Sequence, residues 1–164
     1  MTENRLSRVI WVLVMLLISF TITETVVFSG RSEAKEPIKI GLIGTGAGGG
    51  YLVFKPCYDG IMFATNKINK EGGILGRPVE ILYRDDGGKI DTGVMELKNL
   101  ILRDKVHVLA GGVASPVCLA YSESARQNKT LYFTLMGNTM KLTEEKGHRY
   151  VFQFPASTRV GANA

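Results

Sequence analysis

Five short apolar runs of strand type recur after residue 37: Ile38–Ile43, Val79–Tyr83, Val106–Ala110, Leu131–Leu135 and Tyr150–Phe154. Between the first four lie segments with helical character. Pro56–Lys70 places Ile61, Ala64 and Ile68 near helical spacing, Thr92–Arg103 gathers Val94, Leu97, Leu100 and Ile101 on one face, and Pro116–Gln127 follows the third run. Thr139–Glu145 reads as a helical turn, and Pro155–Ala164 as the start of a further helix. Strands alternating with helices call for right-handed crossovers and a parallel sheet covered on both faces. The expected fold class is therefore α/β, a doubly wound parallel sheet. A length of 164 residues suits one domain.

The first residues have another character. Arg5 and Arg8 precede Val9–Phe20, which is apolar apart from Ser19, and Ser32-Glu33-Ala34 has the small-x-small form of a cleavage site. A basic start, a short apolar run and such a site describe an export signal, expected over residues 1–34 with cleavage after Ala34. The run is shorter than the ~20 residues that a spanning helix needs. An uncleaved N-terminal anchor is the alternative. Residues 1–34 hold three basic and three acidic residues, so the remainder keeps 17 basic against 12 acidic, or +5. These charges are interspersed, without the basic stripe that nucleic acid would require. Cys57 and Cys118 are far apart, each at or inside an expected helix, and are expected to be buried thiols. His107 and His148 are the only histidines, and no cluster has metal-ligand spacing.

Ligands of such sheets bind beyond the carboxyl ends of the strands, where the strand order reverses. That rule selects the loops Gly44–Lys55, Gly111–Ser115 and Met136–Asn138. In the second, Val106–Ala110 runs into Gly111-Gly112 and then Ser115-Pro116. Ser is a preferred helix cap and Pro suits the first turn, so Ser115 is expected to cap the third helix. A helix start of this kind attracts carboxylate or phosphate. Gly44, Gly46 and Gly49 match G-x-G-x-x-G, the dinucleotide fingerprint. Three features weaken the match. The residues up to Pro56 prolong the loop, Asp85-Asp86 come too late for the ribose-binding acid, and an exported chain meets little NAD. Asp85-Asp86 are expected to be solvated turn residues. No G-x-S-x-G elbow and no Cys/His pair are present, so no catalytic residue is assigned.

With these loops placed, the chain resembles the N-terminal lobe of the type I periplasmic binding proteins, in particular the Leu/Ile/Val receptors of ABC transporters. The resemblance rests on Ile38–Ile43, Tyr58-Asp59-Gly60, Ile68-Asn69 with Gly72–Arg77, Asp85-Asp86, Gly111–Ser115, Leu142-Thr143 and Tyr150–Phe152. It covers residues 37–164 and implies that 35–164 form one lobe of a normally two-lobed fold, the second lobe being absent. It implies a binding function without catalysis, an amino acid or similar small polar ligand such as an amide, and a permease as membrane partner. It implies no cofactor and no nucleic acid. The location implied is periplasmic or otherwise extracytoplasmic. A receptor sensor domain held by a membrane anchor is the alternative.

Carried over by position, the residue that grips the ligand carboxylate falls on Ser115, in the loop that also holds Val113. A Thr of the family falls on Asn138, which keeps a donor and an acceptor. A gripping carbonyl falls on Met136. An aromatic that touches the ligand side chain falls on Val53, with Tyr51 nearby. The family's second jaw supplies the acid for the α-amino group. A lobe alone is therefore expected to bind weakly and to expose part of its sheet.

Overall fold

The fold is seen in a computed structural model, which describes Ile10, Trp11, Met15 and residues 35–157. The expected export signal over 1–34 lies outside the described residues but for those three, and so does the helix expected after Pro155 from residue 158 onward. No helix among the described residues is long and apolar enough to cross a membrane.

The strands are β1 (Ile38–Gly44), β2 (Val79–Asp85), β3 (Val108–Gly111), β4 (Leu131–Thr134) and β5 (Val151–Gln153). The helices are α1 (Gly48–Lys70), α2 (Ile90–Leu102) and α3 (Ser115–Gln127), with a 3-10 turn at Met140–Leu142 within the stretch Thr139–Glu145 expected as a helical turn. The sheet is wholly parallel, in the order β2-β1-β3-β4-β5. The chain thus steps outward from β1 to β2, then crosses back over β1 to β3. The strand order reverses between β1 and β3, which are paired from Ile40↔Val108 to Ile43↔Gly111.

Alternation along each strand builds two cores. Ile43, Leu109, Tyr132 and Val151 face one side, where they meet Leu97 and Leu100 of α2 and Cys118 and Tyr121 of α3. Leu42 and Ala110 face the other, where Phe54 of α1 closes on them with Tyr58 and Ile61. Phe54 also stacks on Tyr83, their ring centroids 5.9 Å apart. Between α1 and β2, the amide of Asn69 clips the next strand in place. Its Nδ2 donates to the Val79 carbonyl at 2.8 Å, and its Oδ1 accepts from Val79 N–H at 2.7 Å.

The main departure from expectation is α1. It begins at Gly48 and carries Pro56 inside it, where the sequence places a loop as far as Lys55. The backbone of Ala47 is extended (φ −149°), so the helix starts directly after it. Pro56 is exposed.

Candidate functional site

At the carboxyl edge of the sheet, α3 begins one residue earlier than a Ser115 cap requires. Ala114 occupies the cap position in extended conformation (φ −92°, ψ 146°) and no side chain caps the helix. Ser115 is its first residue and does not cap it. Its Oγ lies 3.5 Å from Asn138 Oδ1 instead, at the outer limit of a hydrogen bond. Pro116 has no N–H, and Cys118 N–H is taken by the Ala114 carbonyl at 3.0 Å. The amides of Ser115 and Val117 belong to the first turn, which has no helical acceptors and carries the positive end of the helix dipole.

The loop after β4 holds Asn138 against this helix start. Leu135 N–H donates to the Gly111 carbonyl at 3.2 Å. The Gly137 carbonyl accepts from Gln153 Nε2 at 2.9 Å and from Thr134 Oγ at 3.5 Å. Beneath it lies Cys118, whose Sγ would stand 2.5 Å from a Cβ at residue 137. Burial pushes the Cys118 thiol above its ordinary value, so it stays protonated. Met136 Sδ receives the Cys57 thiol of α1 at 3.5 Å. Both cysteines are free, Cys118 buried and Cys57 only half-buried.

Ser115 and Asn138 are therefore brought together, and Met136 stands two residues away. Val113 is half-buried and packs with Leu42, Phe54 and Ala110. Tyr51 and Val53 ride on the first turns of α1, Tyr51 half-buried and Val53 45% exposed. Neither shares a hydrogen bond with Ser115 or Asn138.

Two acids behave differently from each other. Asp85 is exposed, as expected of a turn. Asp86 is 2% exposed, which corrects the expectation of a solvated pair. Thr45 Oγ donates to Asp86 Oδ1 at 2.8 Å, as does Gly88 N–H at 2.8 Å, and Tyr121 OH donates to Oδ2 at 3.0 Å. Burial first, and the Asp86 charge second, push the Tyr121 phenol upward. Sequence reasoning missed Asp86, Tyr121 and Gln153. An acid after a strand end resembles any turn acid, and nothing local shows that a phenol from a helix 35 positions later reaches it.

The glycine loop also reads differently with α1 in view. Its helix does begin among the glycines, so that objection to a dinucleotide falls. A stronger one replaces it. Asp85 Oδ1 accepts from Gly46 N–H at 2.7 Å, so a carboxylate already holds an amide that a pyrophosphate would need.

A parallel sheet of order β2-β1-β3-β4-β5, with polar loops converging where the order reverses, is the architecture of one lobe of a type I periplasmic binding protein. The chain belongs to the periplasmic binding protein family, whose model matches residues 37–164. Among curated relatives, Leu/Ile/Val-binding protein BraC3 of Rhizobium johnstonii is 32% identical over 126 residues, covering 76% of this chain and 34% of the relative. The leucine-, isoleucine-, valine-, threonine- and alanine-binding protein from Brucella ovis, solved in a closed conformation, matches with a TM-score of 0.69. It is 26% identical and covers 76% of this chain and 33% of that one. The solute binding protein of an ABC transporter from Rhodopseudomonas palustris BisB5, solved with 3,4-dihydroxy benzoic acid, matches at 0.63. Its identity is 27%, over 74% of this chain and 32% of that one. The chain spans about a third of the length of the relatives it matches.

Proposed function

We propose that residues 35–164 act as the first ligand-binding lobe of an extracytoplasmic substrate-binding protein, which delivers an amino acid or a similar small polar ligand to the permease of an ABC importer. Residues 1–34 carry it out of the cytoplasm. The observation that carries this reading is the meeting of Ser115 and Asn138 beside an uncapped helix start, at the point where the strand order reverses.

The chemistry follows from that edge. A ligand carboxylate accepts from Ser115 Oγ–H and from the amides of Ser115 and Val117. It takes the Ser115 hydroxyl from its long contact with Asn138 Oδ1, and the Asn138 Nδ2, which has no part in that contact, donates to it as well. The Met136 carbonyl accepts from the ligand ammonium. Asp86 is buried and bonded, and Asp85 is exposed and holds the Gly46 and Gly87 amides through Oδ1, so the ammonium is assigned to the Met136 carbonyl. An open edge leaves the ligand wet, and charge-assisted bonds gain little there. Names among the relatives cover aliphatic amino acids, and one solved neighbour holds an aromatic acid. A carboxylate is common to both classes, and it is the group that Ser115 addresses.

The test is a titration of the isotope-labelled chain with isoleucine at millimolar concentration, followed by amide resonances. Ser115, Val117 and Asn138 are expected to shift together. Ser115→Ala removes a partner of a charged group, costs about 1–3 kcal/mol of binding and abolishes the response. Absence of any shift with isoleucine, an aliphatic amide and an aromatic acid alike would refute the reading, as would an undiminished response in Ser115→Ala.

A further inference from the structure

Asp86 joins more of the ligand edge than any other buried side chain described above. Besides the three bonds to its carboxylate, its N–H donates to the Gly44 carbonyl at 3.1 Å and its own carbonyl accepts from Lys89 N–H at 3.0 Å. Thr45 lies in the loop before α1, Lys89 is the residue before α2, and Tyr121 sits in the middle of α3. One residue therefore ties the end of β1 to the starts of two helices and the body of a third.

The arrangement is demanding. A buried carboxylate is tolerated only when its oxygens are bonded, and here all three donors must be in place. The phenol reaches Asp86 only because residue 93 of α2 is glycine. A Cβ at that position would stand 1.9 Å from Tyr121 OH. Tyr121 follows Ser115 by six residues, about 9 Å along a stiff helix axis. An anchor at Tyr121 thus fixes both the height and the rotation of α3, and with them the place where Ser115 Oγ meets Asn138.

We propose that Asp86 is a positioning residue for the ligand edge, holding α3 through Tyr121 so that Ser115 faces Asn138. This rests on the reading of Ser115 as a ligand group. It differs from a purely structural role in what it predicts at a distance. Loss of an ordinary buried bond lowers stability and leaves remote geometry alone, whereas loss of the tether moves Ser115.

The experiment records amide spectra of the full chain, with and without isoleucine, for Asp86→Asn, Tyr121→Phe and Gly93→Ala. The last variant displaces the phenol without altering either bonding group. Ser122→Ala is the control. It removes a buried hydroxyl on the same helix, next to Tyr121, that pairs with His148 Nε2 at 2.9 Å. In those tether variants that keep a dispersed spectrum, the Ser115 amide and the Asn138 side-chain amide are expected to shift without ligand. The isoleucine concentration for half-saturation should rise roughly tenfold, the effect of about 1.4 kcal/mol. Ser122→Ala should lower the melting temperature and leave these signals in place. Unmoved Ser115 and Asn138 signals in Tyr121→Phe or Gly93→Ala, or equal movement in Ser122→Ala, would overturn the proposal. If the wild type ignores every ligand and the tether variants still move Ser115, the tether stands and the proposed function falls. If Ser115→Ala abolishes binding while Tyr121→Phe binds normally, the function stands and the tether falls.

Discussion

Side chains at the ligand edge are fixed less by their own preferences than by what lies beneath them. Asn138 is exposed, yet the residue before it rests on the buried Cys118 thiol and is bonded from Gln153. Gly137→Ala tests that support. Its Cβ would press to 2.5 Å from Cys118 Sγ and 2.8 Å from Cys118 Cβ, and both atoms are locked in the core between α3 and β4. Overpacking of this kind costs about 1–3 kcal/mol. Thermal denaturation should show the loss, and the Gly137→Ala, Cys118→Ala double variant should recover part of it, because the smaller side chain makes room. A melting temperature unchanged by Gly137→Ala would mean that the loop yields freely, and that nothing beneath holds Asn138. At this scale the sequence tells unevenly. Ser115 stands out because Ser-Pro after a strand and two glycines is a recognisable helix start. Asp86 does not, because burial depends on Tyr121 and Gly93, which come from other elements.

Elements were more legible than side chains, since strand and helix periods are written locally. All five strands and the three long helices appear where apolar spacing puts them, with ends displaced by a few residues. The exception is the start of α1, and the reason is physical. Gly-rich sequence has poor helix propensity and Pro56 suits a first turn, so local preference favours a later start. Burial of Phe54 against Leu42 and Ala110 overrides both, because the ring reaches the sheet only from a helix that has already begun. Pro56→Ala distinguishes the two starts. Inside a helix, proline forfeits a hydrogen bond and crowds the preceding turn, at a cost of about 3 kcal/mol when nothing compensates. With α1 beginning at Gly48, Pro56→Ala should raise stability by about 1–3 kcal/mol, read as a higher denaturation midpoint. If the helix began at Pro56, the same change would be neutral or slightly harmful, and a flat result would restore the later start.

At the scale of the whole lobe, the two faces of the sheet are unequally covered. One carries α2 and α3, while the other carries α1 over β2, β1 and β3. Toward β5 that second face ends in three stacked rings. Phe133 lies 5.1 Å from Phe152 and 5.4 Å from Phe154, with the planes nearly parallel. Phe152 is 48% exposed and Phe154 is 70% exposed. Phe152 sits on the outermost strand, β5, with Phe154 just beyond it and Phe133 on the neighbouring β4, and among the described residues one side of β5 has no strand partner. An apolar patch beside an open edge favours association between chains, because pairing removes both kinds of exposure at once. The chain is therefore expected to associate with rising concentration, seen as a growing mean mass in light scattering. Phe154→Glu should suppress this, since a charge there must be desolvated in any such contact. It should do so with little change in melting temperature, because a side chain this exposed contributes little to the fold. The alternative is that association runs through Leu52 and Phe63 of α1, both 74% exposed on the far side of that helix from its core contacts. In that case Phe154→Glu would leave the mass curve unchanged and Phe63→Glu would flatten it, placing the self-association on the helix and leaving the sheet edge protected by its own twist.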